Sequence, residues 1–343
     1  MQIFLNILYL IIGFVLLIFG ADFFVSGASS LAKKMKIPSI VIGLTIVAVG
    51  TSLPELVVSV ISAIKGSPDI SVGNVIGSNM ANMFLIVGVV ALMRPIDVKK
   101  TTRQFDLPFM ALTTTILLLF SADQILDGRD NLLTRSECII FLMLFVYYII
   151  KQIINVKKSK APYTELMDAK DESFSAKKES EEEQKNDVKI LPSWRIALYM
   201  IFGLAGVVGG GELVSMSSKF LALAAGMSDA LVGITVVALG TSLPELVTSI
   251  VAARKGEHEL ALGNVLGSNI MNIVLILGVV GTIGSIAVSA VVLTDLLILT
   301  CCTLAFLVMC YSKKRISRIE GAIALLLYLG YIAFAIARNY MAG

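Results

Sequence analysis

Glu55 and Glu245 lie in the middle of long apolar segments, and each closes an identical Gly-Thr-Ser-Leu-Pro-Glu hexapeptide. A charge at mid-membrane depth costs ~2.5–3.5 kcal/mol even on the milder insertion scales. Neither 39–64 nor 230–253 holds a Lys or Arg to offset it, so two such carboxylates call for a mobile cation or a proton. The neighbouring residues supply more oxygen. Thr51, Glu55 and Ser59 recur at i, i+4 and i+8 and share one helix face, and Asn74, Ser78 and Asn82 form a second stripe. Thr241, Glu245 and Ser249 repeat the first stripe, and Asn264, Ser268 and Asn272 the second. Carboxylate, hydroxyl and amide oxygens are ligands of hard cations such as Ca2+ and Na+. The single histidine, His258, argues against a zinc or copper site. For Ser59, Ser249, Asn74, Asn264 and the nearby glycines, helix–helix adhesion is an equal reading.

The backbone around these residues is expected to be irregular. Pro54 has no N–H for the carbonyl of Gly50 and crowds it, and Gly50 is itself a poor helix former. A break near Gly50–Thr51 follows, repeated at Gly240 and Pro244, with carbonyls left to take up an ion. The two regions are copies. At a constant offset of 190, positions 41–90 and 231–280 are identical at 28 of 50 places, and both contain Gly-Asn-Val-x-Gly-Ser-Asn.

The elements that must hold this chemistry are membrane helices. The 343 residues are 57% hydrophobic with a mean hydropathy of +0.87, a balance that needs lipid as solvent. Apolar runs long enough to span predict ten helices, near 3–31, 39–64, 70–93, 104–122, 134–150, 196–220, 230–253, 260–283, 287–311 and 319–337. With both termini outside, the inner connections 32–38, 94–103, 151–195, 254–259 and 312–318 hold 23 of the 28 Lys and Arg, as the positive-inside rule requires. Residues 1–150 and 195–343 are then two five-span halves. An odd number of spans per half inverts the second against the first, so matching sites meet across an axis in the membrane plane. Residues 151–194, dense in both charges, read as a flexible cytoplasmic linker without EF-hand spacing.

Other features point away from other classes. The first apolar run meets Lys33, Lys34 and Lys36, the wrong flank for a cleavable signal peptide. Cys138, Cys301, Cys302 and Cys310 lie in apolar spans without CxxC spacing, which indicates packing. Asp22 and Glu212 also sit 190 apart, as an access route or as hydrogen-bond partners of the broken helices, while Asp106 and Asp295 suit structural anchors. No Walker A, nucleophile elbow or HExxH pattern occurs, so no enzyme activity is expected, and the basic residues form no nucleic-acid face.

The paired GTSLPE and GNVxGSN motifs resemble those of the calcium/cation antiporter superfamily, most closely its prokaryotic sodium/calcium exchanger branch, along nearly the whole chain. The resemblance implies an all-α membrane protein of ten helices in two inverted five-helix repeats, broken at both motifs. It implies exchange of Ca2+ for Na+ at a central site, with no cofactor. On it, Glu55 and Glu245 are shared Ca2+ and Na+ ligands. Thr51, Thr241 and the carbonyls near Ala48 and Ala238 help bind Ca2+ and flanking Na+, beside Ser52 and Ser242. Ser78 and Ser268 complete the Na+ positions, and Asn82 and Asn272 the central layer. Many relatives have an Asp at one of the last two positions. Asn at both leaves two formal charges, which match one Ca2+ and weaken any expectation of K+ co-transport.

The expected mechanism is alternating access in which Ca2+ or several Na+ share one set of oxygens. Spans 1 and 6 are the sliding gate on the resemblance. The alternatives are proton/calcium exchange, in which the glutamates alternate between protonated and Ca2+-bound forms, and a gated cation channel, which the inverted repeat disfavours. The lean chain suggests a prokaryotic plasma membrane, with Ca2+, Na+ and lipid as the only partners.

Overall fold

Within lipid the backbone can satisfy its N–H and C=O groups only by closing on itself, so long apolar runs become helices. The computed structural model describes residues 2–160, 191–226, 238–312 and 314–342, of which 156–160, 238 and 339–342 are described in backbone only. The elements are α1 (Gln2–Met35), α2 (Ser39–Thr51), α3 (Leu53–Ile64), α4 (Asp69–Met93), α5 (Leu107–Phe120), α6 (Arg135–Lys160), α7 (Ser193–Ala224), α8 (Ala238–Thr241), α9 (Leu243–Arg254), α10 (His258–Ile283), α11 (Ala290–Ser312) and α12 (Arg318–Ala342). Among the described residues seven are long and apolar enough to cross a membrane, and α2 with α3 makes an eighth span, bent by 43°. The expected span 104–122 is α5 with a wider π-helical entry turn over Thr102–Asp106. The expected span 230–253 contributes α8 and α9, its first residues lying outside the described ones.

Burial separates the helices into two classes. In α4 and α10 the apolar stretch is 78% buried, against 17–28% in α1, α6, α7, α11 and α12. Apolar character on every face with such burial marks a core helix, so α4 and α10 form the centre. The outer helices turn Phe19, Phe202 and Leu326 outward, apolar surface that only lipid stabilises. Close packing at the centre depends on glycine. A Cβ on Gly263 of α10 would lie 2.5 Å from the Ile40 carbonyl oxygen of α2, so no larger residue lets these helices cross.

Three local details depart from the sequence expectation. The first break falls at Ser52, just beyond Gly50–Thr51, because Pro54 is tolerated in the first turn of a new helix and that helix starts immediately before it. The second motif does not break its helix. Gly73 and Gly77 sit within a continuous α4, which without a proline relaxes into a π-helical segment at Ala81–Ile86; α10 does the same at Asn272–Leu277. Finally, α6 runs on to Lys160 and takes in the first ten residues of the expected linker, whose residues 161–190 lie outside the described ones.

Two short antiparallel pairings stitch the halves together. Strand β1 (Ile96–Asp97) pairs with β4 (Arg315–Ile316), and β2 (Leu132–Leu133) pairs with β3 (Ile286–Ala287). Each joins a loop of one half to a loop of the other.

Candidate cation site

The backbone turns at Ser52 (φ −85°, ψ 8°) and at Ser242 (φ −88°, ψ 3°). Leu53 and Leu243 then open α3 and α9, with Pro54 and Pro244 in second place, where the missing N–H has no helical partner to lose. Glu55 and Glu245 therefore fall in the first turn of their helices. There the unsatisfied N–H groups and the positive end of the helix dipole favour a carboxylate that lipid alone would not tolerate. Both are 1% exposed.

Four helices enclose them in a reciprocal arrangement. α3 packs on α4 and on the π-helical segment of α10, while α9 packs on α10 and on the π-helical segment of α4. Thr51, Ser52, Ser78, Asn82, Thr241, Ser242, Ser268 and Asn272 are all buried with the glutamates, as is Ala48. Ala238 is the first described residue of the second broken span and opens α8. The sequence stripes therefore converge.

The contacts cross between the repeats. The Thr51 hydroxyl lies 3.1 Å from Asn264 Oδ1, and the Thr241 hydroxyl lies 3.4 Å from Asn74 Oδ1, each threonine meeting the asparagine of the other copy. Asn264 Nδ2 donates to the Ser249 hydroxyl at 3.1 Å, and Asn74 Nδ2 to that of Ser59 at 3.4 Å. These four residues thus tie each broken span to the helix that follows it, the adhesive role. Thr51 also stands 3.4 Å from the Ala48 carbonyl.

At the carboxylates the two copies differ. Ser52 donates to Glu245 Oε1 at 2.9 Å, and Ser268 reaches the same oxygen at 3.4 Å. Their repeat mates, Ser242 and Ser78, have hydroxyls that are buried without a partner. So are Oε2 of both glutamates and Oδ1 of Asn82 and Asn272. Buried polar atoms are almost always hydrogen-bonded. Six unpartnered oxygens on six residues of one cluster form a donor set fit for a desolvated hard cation. No trio of His, Cys, Asp and Glu suited to a metal occurs among the described residues, so neutral oxygens must complete any cation shell.

The remaining acids lie elsewhere. Asp106 accepts from Gln152 at 2.7 Å and Tyr148 at 3.4 Å, and Asp295 takes both nitrogens of the Arg338 fork at 2.8 Å, so both act as anchors. Asp22 pairs with Lys255 at 2.7 Å, whereas Glu212 is exposed on α7. Asn79 and Asn269, the last residues of the two GSN triplets, are buried beside the site. They fall one residue off the i, i+4, i+8 stripe, so spacing gives no signal for them.

The chain matches the profile of the family described as "Sodium/calcium exchanger protein" over residues 5–154 and 195–337. It is 31% identical over 347 residues to the sodium/calcium exchanger MaX1 of Methanosarcina acetivorans, covering 95% of this chain and 97% of that protein. It is 33% identical over 269 residues to the inner membrane protein YrbG of Escherichia coli, covering 78% of this chain and 77% of that one. Among solved structures, the sodium-calcium exchanger NCX_Mj superposes with a TM-score of 0.78 at 30% identity, over 96% of this chain and 99% of that one. Matched through both halves and along nearly its whole length, the chain belongs to the sodium/calcium exchanger family.

Proposed function

We propose that this protein is a secondary antiporter that exchanges Ca2+ for Na+ by alternating access at the site between α3, α4, α9 and α10. The observation that carries this reading is the set of six buried, unpartnered oxygens on Glu55, Glu245, Ser78, Ser242, Asn82 and Asn272. Two carboxylates balance one Ca2+, and the neutral oxygens can share several Na+ in its place. Thr51, Thr241, Ser52, Ser268 and the carbonyls near Ala48 and Ala238 complete the shells. Two bare carboxylates in a low dielectric disfavour reorientation of the empty site, which enforces exchange over leak.

The architecture in this reading is ten spans in two inverted repeats, the second span of the second half being that expected at 230–253, whose residues 230–237 lie outside the described ones. The crossed contacts support it: Thr51 meets Asn264 while Thr241 meets Asn74, and β1 pairs with β4 while β2 pairs with β3. With the Lys- and Arg-rich loops cytoplasmic, both termini lie outside, residues 161–190 lie within the cytoplasmic linker, and the membrane is a prokaryotic inner membrane.

The test is 45Ca2+ uptake into proteoliposomes loaded with Na+ and diluted into Na+-free buffer, beside a Glu55→Gln, Glu245→Gln variant. Uptake that needs internal Na+ and is lost in the variant is the expected result. Uptake driven by a pH gradient and indifferent to Na+ would establish proton/calcium exchange instead. Flux without any counter-ion would establish a channel.

A further inference from the structure

Asn79 and Asn269 occupy the same place in the two repeats, yet their contacts differ. Asn79 Nδ2 donates to the backbone carbonyl of Asn269 at 3.3 Å, and Asn79 Oδ1 accepts from Asn272 Nδ2 at 3.0 Å. Among the described residues the Asn269 side chain reaches only Met110 Sδ, at 3.7 Å, and its Oδ1 has no partner. Asn82, the repeat mate of Asn272, has no such tie among the described residues, although its Oδ1 is also unpartnered.

A side-chain amide has one accepting end and one donating end, and its flip decides which end faces a neighbour. A backbone carbonyl can only accept. The atom of Asn79 that meets the Asn269 carbonyl must therefore be nitrogen, which leaves oxygen at its other end. That oxygen in turn requires the nitrogen of Asn272. The only end of Asn272 left over is Oδ1, buried and unpartnered. Polarity thus runs one way, from a backbone carbonyl through two amides to a free acceptor. The reverse flip would set two oxygens against each other at Asn79 and present N–H groups to a cation.

We infer that Asn79 is a positioning residue that holds Asn272 in the flip able to bind a cation. It acts through Asn272, and its own two hydrogen bonds engage both ends of its amide. The inference rests on the reading of Asn272 as a cation ligand.

The experiment is equilibrium 45Ca2+ binding to the purified full-length protein in Na+-free detergent, with melting temperatures measured in parallel. Four proteins form a cycle: wild type, Asn79→Ala, Asn272→Asp and the double variant. A carboxylate presents oxygen in either flip, so Asn272→Asp removes the need for positioning. Asn79→Ala is expected to weaken Ca2+ binding about tenfold in the wild-type background, the scale of one hydrogen bond to a ligating group. In the Asn272→Asp background the same change is expected to cost less than about twofold. Equal losses in both backgrounds, or none in the first, would overturn the inference. Should Asn79→Ala be unstable, Asn79→Leu fills the same volume without an acceptor and serves in the same cycle. Wild-type protein that does not bind Ca2+ at all would overturn the functional reading beneath it.

Discussion

Asp22 of α1 and Lys255, which follows the last residue of α9, form an ion pair at 2.7 Å, and the ammonium also donates to the Asp22 carbonyl at 2.8 Å and to the Ser26 hydroxyl. Two residues on, Glu257 accepts from the hydroxyls of Ser29 and Ser39. One short loop thereby fastens α1 along two turns. The sequence contains a second version of the pair, because Glu212 and Lys65 each lie 190 residues from their mates. Both are exposed, and among the described residues they form no ion pair. The two faces of the molecule are therefore unequal: α1 is fastened to the Lys255 end, whereas α7 is not fastened in this way to the Lys65 end.

The proposed antiport cycle predicts that the two fastenings exchange, one forming as the other breaks. An exposed pair contributes about 1 kcal/mol or less, a population shift of about fivefold at most. Lys255→Ala is expected to move the protein by that much toward the state open on the Lys255 face. The readout is maleimide labelling of a cysteine placed at Ala252, which is buried here, in a background with the four native cysteines changed to serine. Reversing the pair, with Asp22→Lys and Lys255→Asp, restores the slow rate. Labelling of Lys255→Ala at the wild-type rate would show that the pair does not bias the equilibrium.

Pro54 sets the break that puts Ser52 within 2.9 Å of Glu245. Pro54→Ala returns an N–H to the Gly50 carbonyl and favours a helix continuous through Ser52. Proline removal stabilises a helix, here by much less than the ~3 kcal/mol of an interior site because Pro54 is in the first turn. The melting temperature is expected to stay level or rise while Na+-driven Ca2+ uptake falls at least about tenfold, the scale of one hydrogen bond to a charged group. Uptake at the wild-type rate would mean that the bend is not needed for transport.

How much of this was legible in the sequence depends on the range of the physics involved. The helices follow from hydropathy, which is local, and the glutamates with their hydroxyl and amide stripes follow from spacing on one face. The turn at Ser52 was legible only to within a residue or two. A proline shows that a helix must restart, while the exact start depends on tertiary packing. The unbroken GNVxGSN helices were not legible, because glycine weakens a helix without forbidding it and burial at the centre decides the outcome. Contacts across the repeats were invisible in the same way. Asp22 and Lys255 are separated by 233 residues, and nothing in their neighbourhoods says that the ends of α1 and α9 meet.

Asn272→Asp tests the charge of the site. In the proposed site one bound Ca2+ is neutralised by Glu55 and Glu245. A third carboxylate leaves one negative charge uncompensated in a buried place, which costs several kcal/mol unless something neutralises it. The variant is expected to recruit a further monovalent cation or a proton. Exchange by the wild type should be flat in external K+, whereas exchange by the variant should rise with K+ or with acid. A variant indifferent to both would mean that the added carboxylate is solvated and does not face the ions.

Gly203 and Gly209, both on α7, separate helix propensity from close approach. A Cβ on Gly203 would lie 2.4 Å from Phe24 N and 2.7 Å from its Cα, whereas one on Gly209 meets nothing within 4 Å. Small residues at such crossings let membrane helices touch backbone to backbone. Gly203→Val must push α1 and α7 apart, and overpacking of this kind costs about 1–3 kcal/mol. Gly209→Ala pays no such cost and gains up to about 1 kcal/mol of helix propensity. In detergent the first variant is expected to melt several degrees below wild type, and the second at or above it. Because α1 carries Asp22 and the Ser29 contact to Glu257, Gly203→Val should also loosen the fastening at Lys255 and speed labelling at position 252. Equal melting temperatures for the two variants would mean that α1 and α7 do not pack this closely in the membrane protein.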